Sequence, residues 1–537
     1  MLGSTLALLV YLFIITYLGY LGYKHTKTSA DYLVGGRQIH PMIMALSYGA
    51  TFISTSAIVG FGGAAGTLGM GLLWLTFLNI FFGIFIAFVI FGKRTRKMGH
   101  NVDAHTFPEL LGNRFNSRFI QGFAGAIIFL FMPIYAAAVL KGGSDFIQSH
   151  FGISYEVSLL FFAAVVALYV WMGGLKGVMY TDAFQGVIMF FGMTFLLIYA
   201  YSQLGGISSA HAQLTALFDK PEVQEQCGKL IKGGFQGWTS MPVSGSPIWW
   251  SLVSTIVMGV GIGVLAQPQL VVRFMTVKSN REINRAVVSG GIFILMMTGV
   301  AFVVGSLSNV FFFNDSGKIA IVAAGGNDKI IPAFIKQFVP SWFGIIFFLA
   351  LIAAAMSTLS SQFHAMGTSA GRDLYEKTMR MKGNTIFITK TGILVGILLS
   401  VILAFFANKL DASMQIIATG TAMFFGLCAA SFLPAYVSAL YIKKISAKAI
   451  IAGMITGLTV GIIWIFFIHE KEASSLQLCQ LLFNKTSLVK ETGLAKLAMV
   501  DPIVVSLPSS IIATIIGAFT SKDKLPREHV DMCFKGI

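Results

Sequence analysis

Charge is what this sequence has least of. Asp, Glu, Lys and Arg make up 11% of its 537 residues, whereas 56% are hydrophobic, and the mean hydropathy is +0.79. A soluble chain would carry roughly a quarter charged residues, so a water-soluble globular protein is excluded. No Walker-type phosphate loop is present, which argues against an ATP-driven pump. There is no HExxH, no GxSxG and no carboxylate pair at membrane depth, so nothing supports an enzyme. Between its apolar runs the chain leaves no room for a soluble domain, which excludes an attached kinase, ATPase or nucleic-acid module. Cysteine is scarce too. The four residues Cys227, Cys428, Cys479 and Cys533 make no metal-binding spacing, although Cys227 and Cys479 fall in loops assigned to one side, leaving a disulfide between them open.

What is abundant is long apolar runs, each able to cross ~30 Å of hydrocarbon as a helix. They predict an all-α polytopic membrane protein with about thirteen transmembrane helices, over 5–23, 42–66, 71–92, 119–140, 156–172, 182–201, 249–268, 287–310, 341–369, 387–406, 413–442, 449–468 and 501–520. The first run lacks a basic stretch before it and a small-residue cleavage site after it, so it reads as a retained helix. The net charge of +16 could suggest a nucleic-acid partner, but its placement is a topology signal. Of the 38 lysines and arginines, 26 fall in loops on one side and 12 on the other. Positive-inside then places the N-terminus outside and the C-terminus in the cytoplasm, in a plasma or bacterial inner membrane.

Two segments are interrupted. In 42–66, Gly60, Gly62 and Gly63 cluster late; in 249–274, Gly259, Gly261 and Gly263 precede Pro268. Glycine permits non-helical backbone and proline removes a hydrogen bond. Such backbone survives at membrane depth only inside protein or beside water. Broken helices at matching places in two oppositely inserted halves point to a transporter's central site. The alternative is that the glycines simply let helices pack closely.

The stretch AAAMSTLSSQFHA (353–365) ends an apolar run yet carries hydroxyls at Ser357, Thr358, Ser360 and Ser361. At helical spacing these lie along one side. A hard cation such as sodium wants several such oxygens, and a broken helix could add carbonyls from GATFIS (49–54). Against this, Ser and Thr in membrane helices commonly bond back to their own backbone. His364, three residues on, is either a packed histidine or a titrating one. Lys141 and Asp145 read as snorkelling groups, and KRTRK (93–97) as an anchor. No Arg or Lys is expected inside a spanning segment.

The stretch AAAMSTLSSQ resembles the sodium-site helix of the sodium/solute symporter family. So do DYLVGGR (31–37), GATFISTSAIVGFGGAAGTLGMG (49–71), GGLKGVMYTDAFQGVIM (173–189), QPQLVVRFM (267–275), AGRDLY (370–375) and AGMITG (452–457), in the family's order. The resemblance implies the leucine-transporter-type fold: inverted five-helix repeats with one extra N-terminal helix and two C-terminal ones. It divides the chain into an N-terminal helix and cytoplasmic loop (1–41), a first repeat (42–201), an extracellular loop (202–248), a second repeat (249–406), C-terminal helices (407–520) and a cytoplasmic tail (521–537). It implies a main sodium site from the carbonyls of Ala50, Ile53 and Ala354 with the hydroxyls of Ser357 and Thr358. A second sodium site matches Asp182, Ser360 and Ser361, although Asp182 with Gln185 also reads as a helix-capping box.

The function so implied is a sodium-coupled symporter importing a small organic solute, its partners being that solute, sodium ions and membrane lipid, with no protein partner required. Candidate substrate contacts are Thr51, Ser54, Thr55 and Ser56, then Gly261 to Gln267, then Gln415, Thr419 and Thr421. Phe52 and the apolar GIGVL run depart from the family's sugar branch, and FFGL with Pro434 departs around the eleventh helix. QPQLVVRFM is closer to the proline and pantothenate branches, which favours an amino acid such as proline, or an organic acid such as pantothenate or a monocarboxylate. A proton-coupled transporter of the same fold is the near alternative. A channel would need a continuous polar ring and a sensor an output domain, and neither is visible.

Overall fold

The computed structural model describes residues 2–409, 416–521, 523 and 525–537, and among them every regular element is helical. Long apolar helices, whose backbones satisfy themselves, carry the chain through the membrane. In order they are α1 (Gly3–Lys24), α2 (Pro41–Phe52), α3 (Ser56–Leu68), α4 (Met70–Asn101), α5 (Arg118–Phe151), α6 (Tyr155–Gln203), α7 (Pro247–Ala266), α9 (Asn280–Ser316), α10 (Ser341–Thr378), α11 (Thr385–Ala407), α12 (Ile417–Tyr441), α13 (Ala447–Ile468) and α14 (Pro502–Thr520), with a short helix α8 (Pro268–Phe274) following α7. Length and apolarity alone count eleven candidate spans, or twelve when α2 and α3 are taken as one bent span. That is short of the thirteen expected.

Helix α6 accounts for the difference. At 49 residues a straight helix would be about 74 Å long, far more than a bilayer needs. Gly174 breaks it, with φ 57° and ψ −168°. Before the break, Tyr169 donates to the Met356 carbonyl at 2.9 Å; after it, Asp182 accepts from Ser360 at 3.1 Å. Tyr169 and Asp182 would lie ~20 Å apart on one helix, yet their partners on α10 are a single turn apart. The chain therefore doubles back at Gly174, where an added Cβ would strike the Tyr32 ring at 2.7 Å.

Both interrupted segments are broken, although the glycines are not the cause. The first break is at Ile53, which is extended (φ −91°, ψ 101°), and α2 and α3 meet there at 52°. Ser54 restarts the chain by accepting from the Ser56 amide at 3.1 Å. The second is at Gln267, extended ahead of Pro268. Gly62, Gly63, Gly261 and Gly263 are all helical and serve packing instead. A Cβ on Gly63 would meet the Asn327 carbonyl at 2.1 Å, and one on Gly263 the Phe425 backbone at 2.7 Å.

Between about 249 and 406 lie four of the spans, α7, α9, α10 and α11. The long loops fold back as short helices. Trp238 from one of them seals the end of α3, its indole donating to the Gly66 carbonyl at 2.8 Å. All four cysteines are buried and free, so the Cys227–Cys479 disulfide left open above is not formed. The outer helices show large apolar side chains such as Phe13, Phe387, Phe406 and Phe519, as lipid-facing surfaces do.

Candidate functional site

The broken helix and the hydroxyl-rich helix face each other. Because α2 stops at Phe52, its last carbonyls have no partners further along the helix. Side chains of α10 take them up: Ser357 donates to the Ala50 carbonyl at 2.8 Å and Thr358 to the Thr51 carbonyl at 3.0 Å. The Ser357 hydroxyl also lies 3.2 Å from the Ala354 carbonyl. Ala50, Ala354, Ser357 and Thr358 thus contribute oxygens to one buried spot. Ile53 ends α2 immediately beside them, although Thr358 pairs with Thr51 rather than with it. The backbone-bonding alternative is also realised, since Ser360 and Ser361 reach the Ser357 carbonyl at 2.9 and 3.1 Å.

One turn further along α10, Ser360 and Ser361 meet Asp182, at 3.1 Å and 3.4 Å. Asp182 is not a helix cap: it sits within α6, fully buried, and accepts from Ser47 at 2.9 Å and Thr51 at 3.1 Å as well. The same cluster holds a residue that the sequence reading placed in a loop. Arg273 of α8 is fully buried and donates to Asp182 at 2.8 Å, to Ser361 at 2.6 Å, to Thr51 at 2.5 Å and to Ser47 at 3.0 Å. Arg273 lies beyond the span Pro247–Ala266, and the sequence reading gave no sign that it would be buried. The break at Gln267 turns α8 inward and carries Arg273 with it. The Arg273 guanidinium neutralises Asp182, and a cation binding there would compete with it.

Of the candidate substrate contacts, Ser54 lines a closed space of about 10 Å³, room for one water. Phe52, Asn79, Tyr135, Thr421 and Phe425 are among its other walls. The remaining candidates diverge. Thr51 belongs to the Arg273 cluster, Thr55 bonds the Val139 carbonyl at 3.2 Å, and the buried Ser56 hydroxyl has no partner. Gly261 packs on Leu78, and Gln267 donates to the Gly263 carbonyl at 3.2 Å. Thr419 lines a large cavity of about 970 Å³ that opens on the face bearing loops 202–248 and 469–500. Gln415 lies outside the described residues. Asn79 and Tyr135 were missed. A lone amide inside the apolar run TFLNIFF was the available signal for Asn79, whose carbonyl oxygen is buried without a partner.

The opposite end is closed, with about 20 Å³ left between Arg273, Ser361, His364 and Thr106. His364 packs there against the Tyr32 ring at 5.6 Å. Lys141 and Asp145 form an ion pair at 2.6 Å, with the lysine mostly buried.

The chain is similar to known proteins in both sequence and fold. The model of the sodium:solute symporter family matches residues 32–457. A Staphylococcus saprophyticus protein named sodium/proline symporter 2 is 29% identical over 480 residues, covering 86% of each chain. A Staphylococcus aureus sodium/proline symporter is 29% identical over 479 residues, 86% of this chain and 85% of that one. Among solved structures, the substrate-bound outward-open state of a Na⁺-coupled sialic acid symporter superposes with a TM-score of 0.73 at 19% identity, over 97% of this chain and 98% of that one. A nucleobase-cation-symport-1 family transporter in a closed conformation gives 0.53 at 12%, over 94% and 99%.

Proposed function

The chain belongs to the sodium:solute symporter family, a family of sodium-coupled transporters, and from that premise we propose that it imports a small amino acid of the proline class by alternating access. The observation that carries this reading is the oxygen cluster of Ala50, Ala354, Ser357 and Thr358 at the break of α2, which is where a bare sodium ion would bind. Ile53 completes the set once its carbonyl turns in. Sodium held there ties α2 to α10 and so favours the arrangement open at the large cavity. Substrate and sodium then raise each other's affinity. Asp182, Ser360 and Ser361 take a second sodium only in a state where Arg273 has swung away.

We assign the solute to the space beside Ser54. Its walls are aromatic and aliphatic, with hydroxyls and one amide and no charged side chain. A zwitterion's carboxylate would meet the first amides of α3, where the helix dipole favours a negative charge. That space must widen for even proline to enter, as α3 and α7 part. We place the N-terminus and the large cavity outside and the C-terminus in the cytoplasm, from the distribution of Lys and Arg. The first repeat takes in residues 42–201, and the second runs on past 406 to include α12.

The test is uptake of labelled proline, pantothenate and lactate into proteoliposomes under an inward sodium gradient. Proline uptake that needs sodium is expected. Uptake that persists without sodium and collapses with a protonophore would replace sodium by protons. Uptake of an organic acid in place of proline would move the solute to that class.

A further inference from the structure

A second cluster of ligating groups lies far from the oxygen cage, where loop 469–500 meets the last spanning helix. His469, Glu472 and Asp501 are each buried, exposed by 4%, 1% and 5%, and one ligand atom of each lies within 4.8 Å of the others. His469 and Glu472 are three residues apart at the start of helix Glu470–Leu476, so both side chains rise from one helical turn. Asp501 comes from the other direction as the cap of α14, one oxygen accepting from the Ile503 amide at 2.9 Å.

The hydrogen bonding within this cluster is incomplete in a telling way. His469 Nδ1 and Glu472 Oε2 face each other in close contact, and neither has a hydrogen-bond partner. The other ring nitrogen bonds the Met499 backbone, which fixes the proton on Nε2. That leaves Nδ1 aimed at a carboxylate oxygen. A shared proton or a metal ion bound beside them would satisfy both atoms. Lys471 lies close enough to feel the charges of Asp501 and Asp328.

We propose that His469, Glu472 and Asp501 form a divalent-cation site of the zinc class. Imidazole nitrogen and carboxylate oxygen are both zinc ligands, and a zinc ion would draw them to about 2 Å from itself. The Nε2–H bond to backbone is the outer contact that metal-bound histidines usually make. A fourth position remains for water. A chamber of about 370 Å³ bordered by Thr255, Ser251, His469 and Lys471 gives the ion a way in. A bound ion would tie loop 469–500 to α14 and hold it over α7, because Asp501 also lies beside Gly259.

The test uses full-length protein in detergent, washed with EDTA, with ZnCl₂ titrated while thermal unfolding is followed at constant sodium. The midpoint is expected to rise and saturate in the wild type, with zinc affinity weakened more than ~10-fold in His469→Ala and in Asp501→Asn. Asparagine still caps a helix, so the second variant keeps the fold. X-ray absorption at the zinc edge is expected to show nitrogen and oxygen neighbours only. The proposal is overturned if zinc leaves the wild-type midpoint unmoved or if both variants keep the full response. Sulfur in the zinc shell would also overturn it, pointing instead to Cys533 and His529, which lie 3.6 Å apart.

Discussion

The Ser357 hydroxyl lies 2.8 Å from the Ala50 carbonyl, 307 positions earlier in the chain. Neither group needs the other for its own helix. The contact exists because α2 ends early and α10 offers a donor where an ion would offer a charge. Sodium binding should replace that hydrogen bond by coordination from both oxygens. Ser357→Ala and Thr358→Ala each remove one oxygen from the set, and a hydrogen bond to a charged group is worth about 1.5–3 kcal/mol. The sodium concentration for half-maximal uptake should rise roughly ten-fold or more in each variant, while protein yield stays near wild type. Unchanged sodium dependence in both would remove the cage from the mechanism.

Asp182 and Arg273 are a fully buried pair at 2.8 Å. Removing one partner strands the other charge, which costs about 3–5 kcal/mol, whereas removing both is often tolerated. Asp182→Asn and Arg273→Met should each lower the unfolding midpoint by several degrees. The double variant should be more stable than either single one. Thermal melts of the three proteins in one detergent check this; additive losses would show that the two side chains act independently.

Much of this architecture was readable in the residues. The apolar runs gave the helices, and the hydroxyls at 357, 358, 360 and 361 marked the face of α10 that turns inward. Other features were hidden for physical reasons. Arg273 follows Pro268, and a proline followed by a basic residue reads as the end of a span; only the three-dimensional turn at Gln267 brings it inward. The glycines of α3 and α7 misled because the composition of a break and of a close contact is the same. Gly174 was read as part of a loop between helices, and its positive φ compresses that loop into a single kink.

The glycine assignment can be tested directly. A Cβ at Gly63 meets the Asn327 carbonyl at 2.1 Å, backbone that cannot swing away, whereas one at Gly344 meets nothing within 4 Å. Gly63→Ala should destabilise by about 1–3 kcal/mol or more and lower uptake. Gly344→Ala, in a helix, should be neutral or stabilising by up to ~1 kcal/mol. Equal effects on the melting midpoint would mean that the α3 contact with Asn327 is looser than the geometry requires.

Glu109 lies on the short helix whose first residues border the closed end, and its chemistry sets a pH window. It sits at 1% exposure on the helix Phe107–Arg114, accepting from Arg372 at 2.8 Å and from the His105 amide at 2.9 Å. Burial alone would push its pKa up, but the bonds from His105 and the charge of Arg372 outweigh it and bring the value from 4.5 to about 2. A carboxylate whose folded value is depressed contributes stability in full above its unfolded value. It loses that contribution as pH falls through the folded one. The wild-type unfolding midpoint should therefore hold above about pH 5 and drop steadily between roughly pH 4.5 and 2, by an amount on the order of 3 kcal/mol. Glu109→Gln should start lower at neutral pH and change less across that window, because the amide has no proton to gain. Melts of the two proteins from pH 7 to pH 3 decide it, and parallel curves would mean that Glu109 is not what holds Arg372 against this short helix.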